Sequence, residues 1–313
     1  MLQKVIDLVF LMRPTLILPG WGFFVLGYLH AGSHMGDLHP IFEVPLRPGF
    51  WYGFLSTTFI SAYIYVLNQI YDRESDRLNR KLFLIADGYV SVGEAYVFSL
   101  ILLLLSFVFG ALVGKAFLLL LALGTVVGTL YSLPPFRFKG RPFLDMFSNA
   151  VGYAILNVAA GYVSGGGDTY EGLRATLPYF FAVSALYLNT TVPDIPGDRE
   201  ANLITTGVLL GPRLTAILGA LFVLLTVLFS LWPAYNPFML VVGGVSLPFY
   251  LYAALRGDEF SVKLAYRASG LAFVLLLILK YPPFLVPALV VLVALKVYYR
   301  LRFNLDYPSL TGR

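Results

Sequence analysis

The chain has 313 residues, of which 58% are apolar and only 12% charged, and its mean hydropathy is +0.79. A soluble domain carries about 25% charged residues, so this composition excludes an ordinary soluble enzyme, a disordered chain and a nucleic-acid-binding module. Twenty-two basic against 17 acidic residues give a net charge of +5, and the absence of cysteine excludes a disulfide framework, a thiol nucleophile and a Cys-ligated metal site.

A helix needs roughly 20 apolar residues to cross a bilayer core. Ten segments answer to that need, over 14–31, 51–70, 94–113, 116–133, 143–164, 176–193, 209–232, 236–255, 264–280 and 284–299. The expected fold class is therefore all-α, a polytopic membrane helical bundle, with 1–313 forming a single domain. Lys4 and Arg13 precede the first apolar run, but that run continues for a full span and has no small-residue cleavage site. It reads as a span and not as a cleavable signal. The 32–49 segment is the longest outside loop and holds or borders His30, His34 and His39. No acidic or cysteinyl partner stands at metal-ligand spacing, so the three histidines read as parts of a surface loop.

With the N-terminus inside, 18 of the 22 basic residues fall on the inner side; only Arg47, Lys115, Arg174 and Lys280 fall outside. This bias matches the positive-inside rule. Both termini and the loops after the second, fourth and sixth spans are expected in the cytoplasm.

Acidic residues are scarce, and two clusters sit at span ends. The first is Asn68-Gln69-Ile70-Tyr71-Asp72-Arg73-Glu74-Ser75-Asp76; the second is Asp194-Ile195-Pro196-Gly197-Asp198-Arg199. Asn68, Asp72 and Asp76 recur at i, i+4, i+8, which puts them on one helix face. Asp194 and Asp198 repeat the i, i+4 spacing. Facing carboxylates repel and raise each other's pKa unless cations lie between them. Oxygen-only ligands suit a hard ion such as Mg²⁺, which takes one or two carboxylates and completes its shell with water and substrate phosphate. The pattern reads as a metal–diphosphate clamp. A third segment on the same side, Tyr131-Ser132-Leu133-Pro134-Pro135-Phe136-Arg137-Phe138-Lys139-Gly140-Arg141, carries three cations in five residues. Arg137, Lys139 and Arg141 would hold a diphosphate and stabilise it as it leaves. Tyr131 could donate to phosphate or anchor the helix at the interface.

These residues resemble the UbiA superfamily of intramembrane prenyltransferases. Asn68–Asp76 matches that family's NxxxDxxxD motif, Asp194–Asp198 its DxxxD motif, and Tyr131–Lys139 its YSxPPxRxK segment. The resemblance implies a bundle of nine to ten helices around a central cavity. It implies Mg²⁺-dependent ionisation of a polyprenyl diphosphate to an allylic cation, and transfer of the prenyl group to a lipophilic acceptor in the bilayer. By motif match, Asn68, Asp72, Asp76, Asp194 and Asp198 would be metal and diphosphate ligands, with the four aspartates catalytic. Arg137 and Lys139 would contact the diphosphate, with Arg141 as an extension. Many members carry a lysine after the second motif where this chain has Leu203; Arg199 is the candidate substitute. The Tyr131–Asn149 stretch, with Asp145 in it, is similar to members that act on carotenoid or aromatic acceptors. The rival reading is a cation-coupled transporter, since intramembrane carboxylates also serve ion relays. Against it, the carboxylates lie at helix ends.

Overall fold

The computed structural model describes residues 2–78, 83–232 and 235–307, and all regular structure there is helical. Arg80, Lys81 and Arg313, counted above among the inner basic residues, lie outside the described residues. The chain opens with α1 (Leu2–Leu11) and α2 (Pro14–Ala31), whose axes are bent by 55°. Arg13 makes the bend in left-handed backbone (φ 57°), and Pro14 begins α2, where its missing donor would have had no helical partner. The long α3 (Pro48–Leu78) is followed by the short α4 (Phe83–Ala86) and by α5 (Val92–Val113). Ser91 and Glu94 form a reciprocal capping box at the start of α5. Gly114, at φ 139°, turns the chain directly into α6 (Lys115–Ser132), a conformation that needs glycine.

Next, α7 (Leu144–Ala150) runs through a π-helical stretch, Val151–Leu156, into α8 (Asn157–Ser164). Such stretches frequently mark functional sites, and this one borders the cavity described below. Asp168 caps α9 (Thr169–Ala175), and α10 (Leu177–Thr191), α11 (Ile195–Glu200) and α12 (Thr206–Leu231) follow. The bundle closes with α13 (Pro237–Arg256), α14 (Glu259–Lys280) and α15 (Leu285–Phe303), of which α13 and α14 are capped by Asn236 and Asp258.

All ten expected segments are helical. Among the described residues, eight helices are long and apolar enough to cross a membrane, or nine if the bent α1–α2 pair is one span. The segment at 176–193 is shorter than a full span: α10 has 15 residues, about 22 Å at the α-helical rise. Pro193 and Pro196 follow it, and proline cannot continue a helix ladder. The chain is an integral membrane protein. Its outer surface carries Leu104 of α5, Leu119 of α6, Leu228 of α12 and Val290 of α15, all more than half exposed, as a lipid-facing surface requires.

Inside, α2 and α8 touch backbone to backbone. A Cβ on Gly27 would lie 2.0 Å from the Val158 carbonyl oxygen, and one on Gly161 would lie 2.0 Å from that of Phe24. Small residues at helix contacts are the usual means of close packing where lipid removes the hydrophobic drive. One apolar cluster centres on Phe24, Tyr179 and Phe238, and another on Leu67, Ile70 and Leu102. This packing gathers the C-terminal part of α3, the end of α6, the 133–143 loop, α11 and the start of α12 at one end of the bundle.

Candidate active site

A cavity of about 410 Å³ lies between α3, α6 and the α7–α8 span. Asn68, Asp72, Tyr131 and Lys139 line its polar end, with Arg13 beside them. Ile60, Ile64, Leu121, Gly124, Leu156 and Ala160 line its apolar part, which reaches Phe117. Along α6 the lining runs from Tyr131 back to Phe117, roughly 21 Å of helix at 1.5 Å per residue. In the wall, the Tyr65 hydroxyl donates to the Tyr153 hydroxyl at 2.5 Å, and Tyr153 in turn donates to the Leu16 carbonyl at 3.2 Å.

The polar end is organised on Asp72. Helical spacing places Asn68 one turn before it, and Asn68 Nδ2 donates to Asp72 Oδ2 at 2.9 Å and to Ser132 Oγ of α6 at 3.0 Å. Lys139 Nζ donates to the other oxygen, Asp72 Oδ1, and the Arg137 guanidinium stands 3.7 Å from that atom. Arg137 adopts left-handed backbone (φ 37°) and starts the single turn Phe138–Gly140, which folds Lys139 back onto α3. Asp76 lies within electrostatic reach of Lys139. Burial pulls the Lys139 ammonium below the ordinary lysine range, and Asp72 opposes that shift.

Tyr131 receives a hydrogen bond from Asn149 Nδ2 at 3.2 Å and stands beside Tyr187 of α10. The second acidic motif lies on and before α11. Asp198 is partly buried and accepts from Thr205 Oγ1 at 2.9 Å. Burial raises its carboxyl above the ordinary range, and neighbouring Asp194 pushes the same way. Asp194 and Arg199 are exposed. Arg141 is exposed as well and donates back to the Pro135 carbonyl at 2.9 Å. The structure therefore brings Asn68, Asp72, Tyr131, Arg137 and Lys139 together and sets Asp76 close by. It leaves Asp194, Asp198 and Arg199 on the adjoining α11 segment, and Arg141 on its own loop. Leu203 faces the cation loop: its Cδ2 lies 3.2 Å from where a Cβ on Gly140 would be.

Spacing did not single out Asn149, Tyr187 or Asp145. Asp145 is wholly buried at the start of α7 and is bound by Thr206 at the start of α12. Its one sequence signal is that it is the only acid between Tyr131 and Asn149.

Among the described residues, no three acidic, His or Cys side chains converge as a metal site. Mg²⁺ needs only one or two protein carboxylates when phosphate and water supply the rest. The formal charges of Asp72, Asp76, Arg137 and Lys139 cancel, so a diphosphate placed there requires additional cations. The donor set fits that ion.

Residues 21–262 match the UbiA prenyltransferase family. The chain belongs to that family. It is 31% identical to the lycopene elongase/hydratase of Halobacterium salinarum over 227 residues, which cover 71% of this chain and 78% of that one. It is 33% identical over 180 residues to a probable chloroplastic homogentisate phytyltransferase of Oryza sativa, covering 54% of this chain and 47% of that relative. The chain thus spans about half the length of this plant relative. Among solved structures it resembles a UbiA homolog from Archaeoglobus fulgidus bound to GPP and Mg²⁺, with TM-score 0.65, 25% identity, and coverage of 88% of this chain and 98% of that one. A digeranylgeranylglyceryl phosphate synthase shares the fold at TM-score 0.70 and 19% identity, over 91% of this chain and 99% of that one. The helical bundle and the family expected from the motifs are those observed, and the chain is a membrane prenyltransferase.

Proposed function

We propose that this chain, as a single domain over 1–313, carries out Mg²⁺-dependent transfer of a prenyl group from a polyprenyl diphosphate to a lipophilic acceptor within the membrane. The acceptor is an aromatic quinone precursor or a carotenoid-like molecule, and diphosphate is released. The observation that carries this reading is the pair of cations, Lys139 and Arg137, on Asp72 at the polar end of an otherwise apolar cavity. The named activities of the archaeal and plant relatives and the GPP-bound homologue support the substrate class.

The residues divide the work by their chemistry. Asn68, Asp72, Asp76, Asp194 and Asp198 would hold Mg²⁺ together with substrate phosphate. When bound, the ion supplies neutralisation and Lewis acidity for the departing diphosphate. Lys139 and Arg137 hold the diphosphate and stabilise the charge that develops on it. Tyr131, oriented by Asn149, donates to a phosphate oxygen. The walls from Ile64 to Phe117 take the prenyl tail and exclude water from the reactive carbon. The faces of Tyr65, Tyr131 and Tyr153 attract the developing cation.

The test is diphosphate release and product mass spectrometry with C10 to C20 diphosphates and a panel of acceptors. Mg²⁺-dependent release coupled to a prenylated product is expected. Cation flux in liposomes without any such product would replace this reading with a transporter. On the basic-residue bias, we read both termini and the site as facing the cytoplasm. Lys139→Cys and Asp37→Cys, introduced singly into a chain with no native cysteine, should therefore label from opposite sides of a sealed vesicle; labelling from the same side would overturn that orientation.

A further inference from the structure

Building on the prenyl-transfer reading, we propose that Asp145 is a positioning residue that sets the second acidic motif in register with the cation loop, acting through the paired threonines Thr205 and Thr206. Asp145 and Thr206 are both 0% exposed. A buried carboxylate is tolerable only when donors satisfy it. Asp145 has three: the backbone N–H of Thr206 to Oδ2 at 2.8 Å, the Thr206 hydroxyl to Oδ1, and the backbone N–H of Met146 to Oδ1 at 2.7 Å. The Thr206 oxygen in turn accepts from the Phe143 N–H at 2.6 Å. Phe143 is held in left-handed backbone, at φ 64°, a conformation that bulky residues avoid and that marks a constrained segment.

The adjacent residue completes the link. Thr205 Oγ1 donates to Asp198 Oδ2 at 2.9 Å and accepts from the Val208 N–H at 3.4 Å. Two neighbouring threonines thus each give a hydroxyl to a carboxylate, one on the cation-loop side of the site and one in the second motif. The segment that ends at Asp145 is also fastened to the first motif, through Ser132 to Asn68 and through Lys139 to Asp72. Residues 132–145 therefore form a strap between the two acidic motifs, with Leu203 packed on Gly140 beneath it. Without the hold on Thr206, the α11–α12 turn can move while Lys139 stays on α3. Asp198 then loses its placement against the diphosphate held by Lys139 and Arg137. A plain helix-end acid would instead stabilise α7 and leave ligand affinity alone.

The test uses the full chain in lipid nanodiscs, with inorganic pyrophosphate plus Mg²⁺ as the binding probe and a C20 diphosphate as substrate. Asp145→Asn and Thr206→Val should each weaken Mg²⁺-dependent pyrophosphate binding by ~10-fold, the scale of one misplaced charged hydrogen bond, and should raise KM for the diphosphate more than they lower kcat. Thr206→Ser, which keeps the hydroxyl, should restore both. In an Asp198→Asn background, Thr206→Val should add less than a further twofold, because residues acting as one unit are non-additive. A lower melting temperature with unchanged pyrophosphate affinity and KM, or full additivity with Asp198→Asn, would overturn the proposal. If Asp145→Asn does not fold, Thr206→Val and Thr206→Ser carry the test alone. Wild-type protein that binds pyrophosphate but releases none from the prenyl diphosphate would overturn the transfer reading and leave the positioning test decided by binding.

Discussion

The two acidic motifs share a spacing and differ in how the fold holds them. Asp72 is engaged on both oxygens, by Asn68 on one and by Lys139 on the other, with Arg137 near. Asp198 has one hydroxyl donor from Thr205, and Asp194 stands exposed. The first motif continues α3, a long helix buried in the bundle as far as Ile70. The second sits on α11, a six-residue helix that begins beside two prolines. A preorganised pair of cations and a carboxylate can act as the fixed half of the site, and the second motif then closes a shell around whatever is bound.

The largest effect should come from the fixed half. Asp72→Asn is expected to reduce turnover by ~10²–10³-fold, the scale of removing one preorganised electrostatic group. It should also lower the melting temperature, because Lys139, with its side chain 14% exposed, keeps its charge with less compensation. Asp194→Asn should reduce turnover strongly and leave the melting temperature unchanged, since its side chain is solvated in the folded chain. Equal loss of stability in both variants would break the contrast between a rigid and an open motif.

Lys139→Ala comes next, with an expected ~10–100-fold rise in KM for the diphosphate, as for losing one charged hydrogen bond. Leu203→Lys sharpens the same point from the other side of the loop. Leu203 packs on Gly140 beside Lys139, so an ammonium there is placed to reach the diphosphate and should lower KM by up to ~10-fold. A binding gain shared by substrate and transition state leaves kcat unchanged. An unchanged KM with a lower melting temperature would show that position 203 does not reach the substrate.

The pH profile should report both halves separately. Burial lowers Lys139, so its ammonium is lost as pH rises through values below the ordinary lysine range. Burial raises Asp198, so its carboxylate is protonated as pH falls through values above the ordinary carboxylate range. Activity should therefore fall on the alkaline side through Lys139 and on the acid side through Asp198. Lys139→Arg should move only the alkaline limb upward; movement of both limbs would mean that one group sets both. The smallest effects are expected at Arg141 and Arg199. Arg141 is spent on the Pro135 carbonyl and Arg199 is exposed. Alanine at either should change KM by less than twofold, and a tenfold change at Arg199 would make it the replacement for the lysine absent at 203.

Much of this architecture was legible in the chain. Apolar runs bounded by charge mark the helices, because lipid demands internal hydrogen bonding and an apolar surface. The i, i+4 spacing of Asn68, Asp72 and Asp76 puts them on one face by helix geometry alone. The 15-residue length of α10 was less legible, since the apolar segment 176–193 has nearly the length of a span while its helix runs only from Leu177 to Thr191, stopping short of Pro193. Arg137, Lys139 and Arg141 are alike in sequence, yet only the first two turn toward Asp72. That choice depends on the left-handed backbone at Arg137, which no local propensity for arginine would favour.

The sequence by itself determined the membrane class, the order of the spans and the residue types of the clamp, because these follow from hydropathy, charge placement and helical period. Only the tertiary structure decided which carboxylate is preorganised, which cations face it, and that Asp145 is joined to Thr206 across 61 positions of chain. Contacts of that separation follow from where the bundle brings the first turn of α7 beside the start of α12, and no periodicity within either segment encodes them.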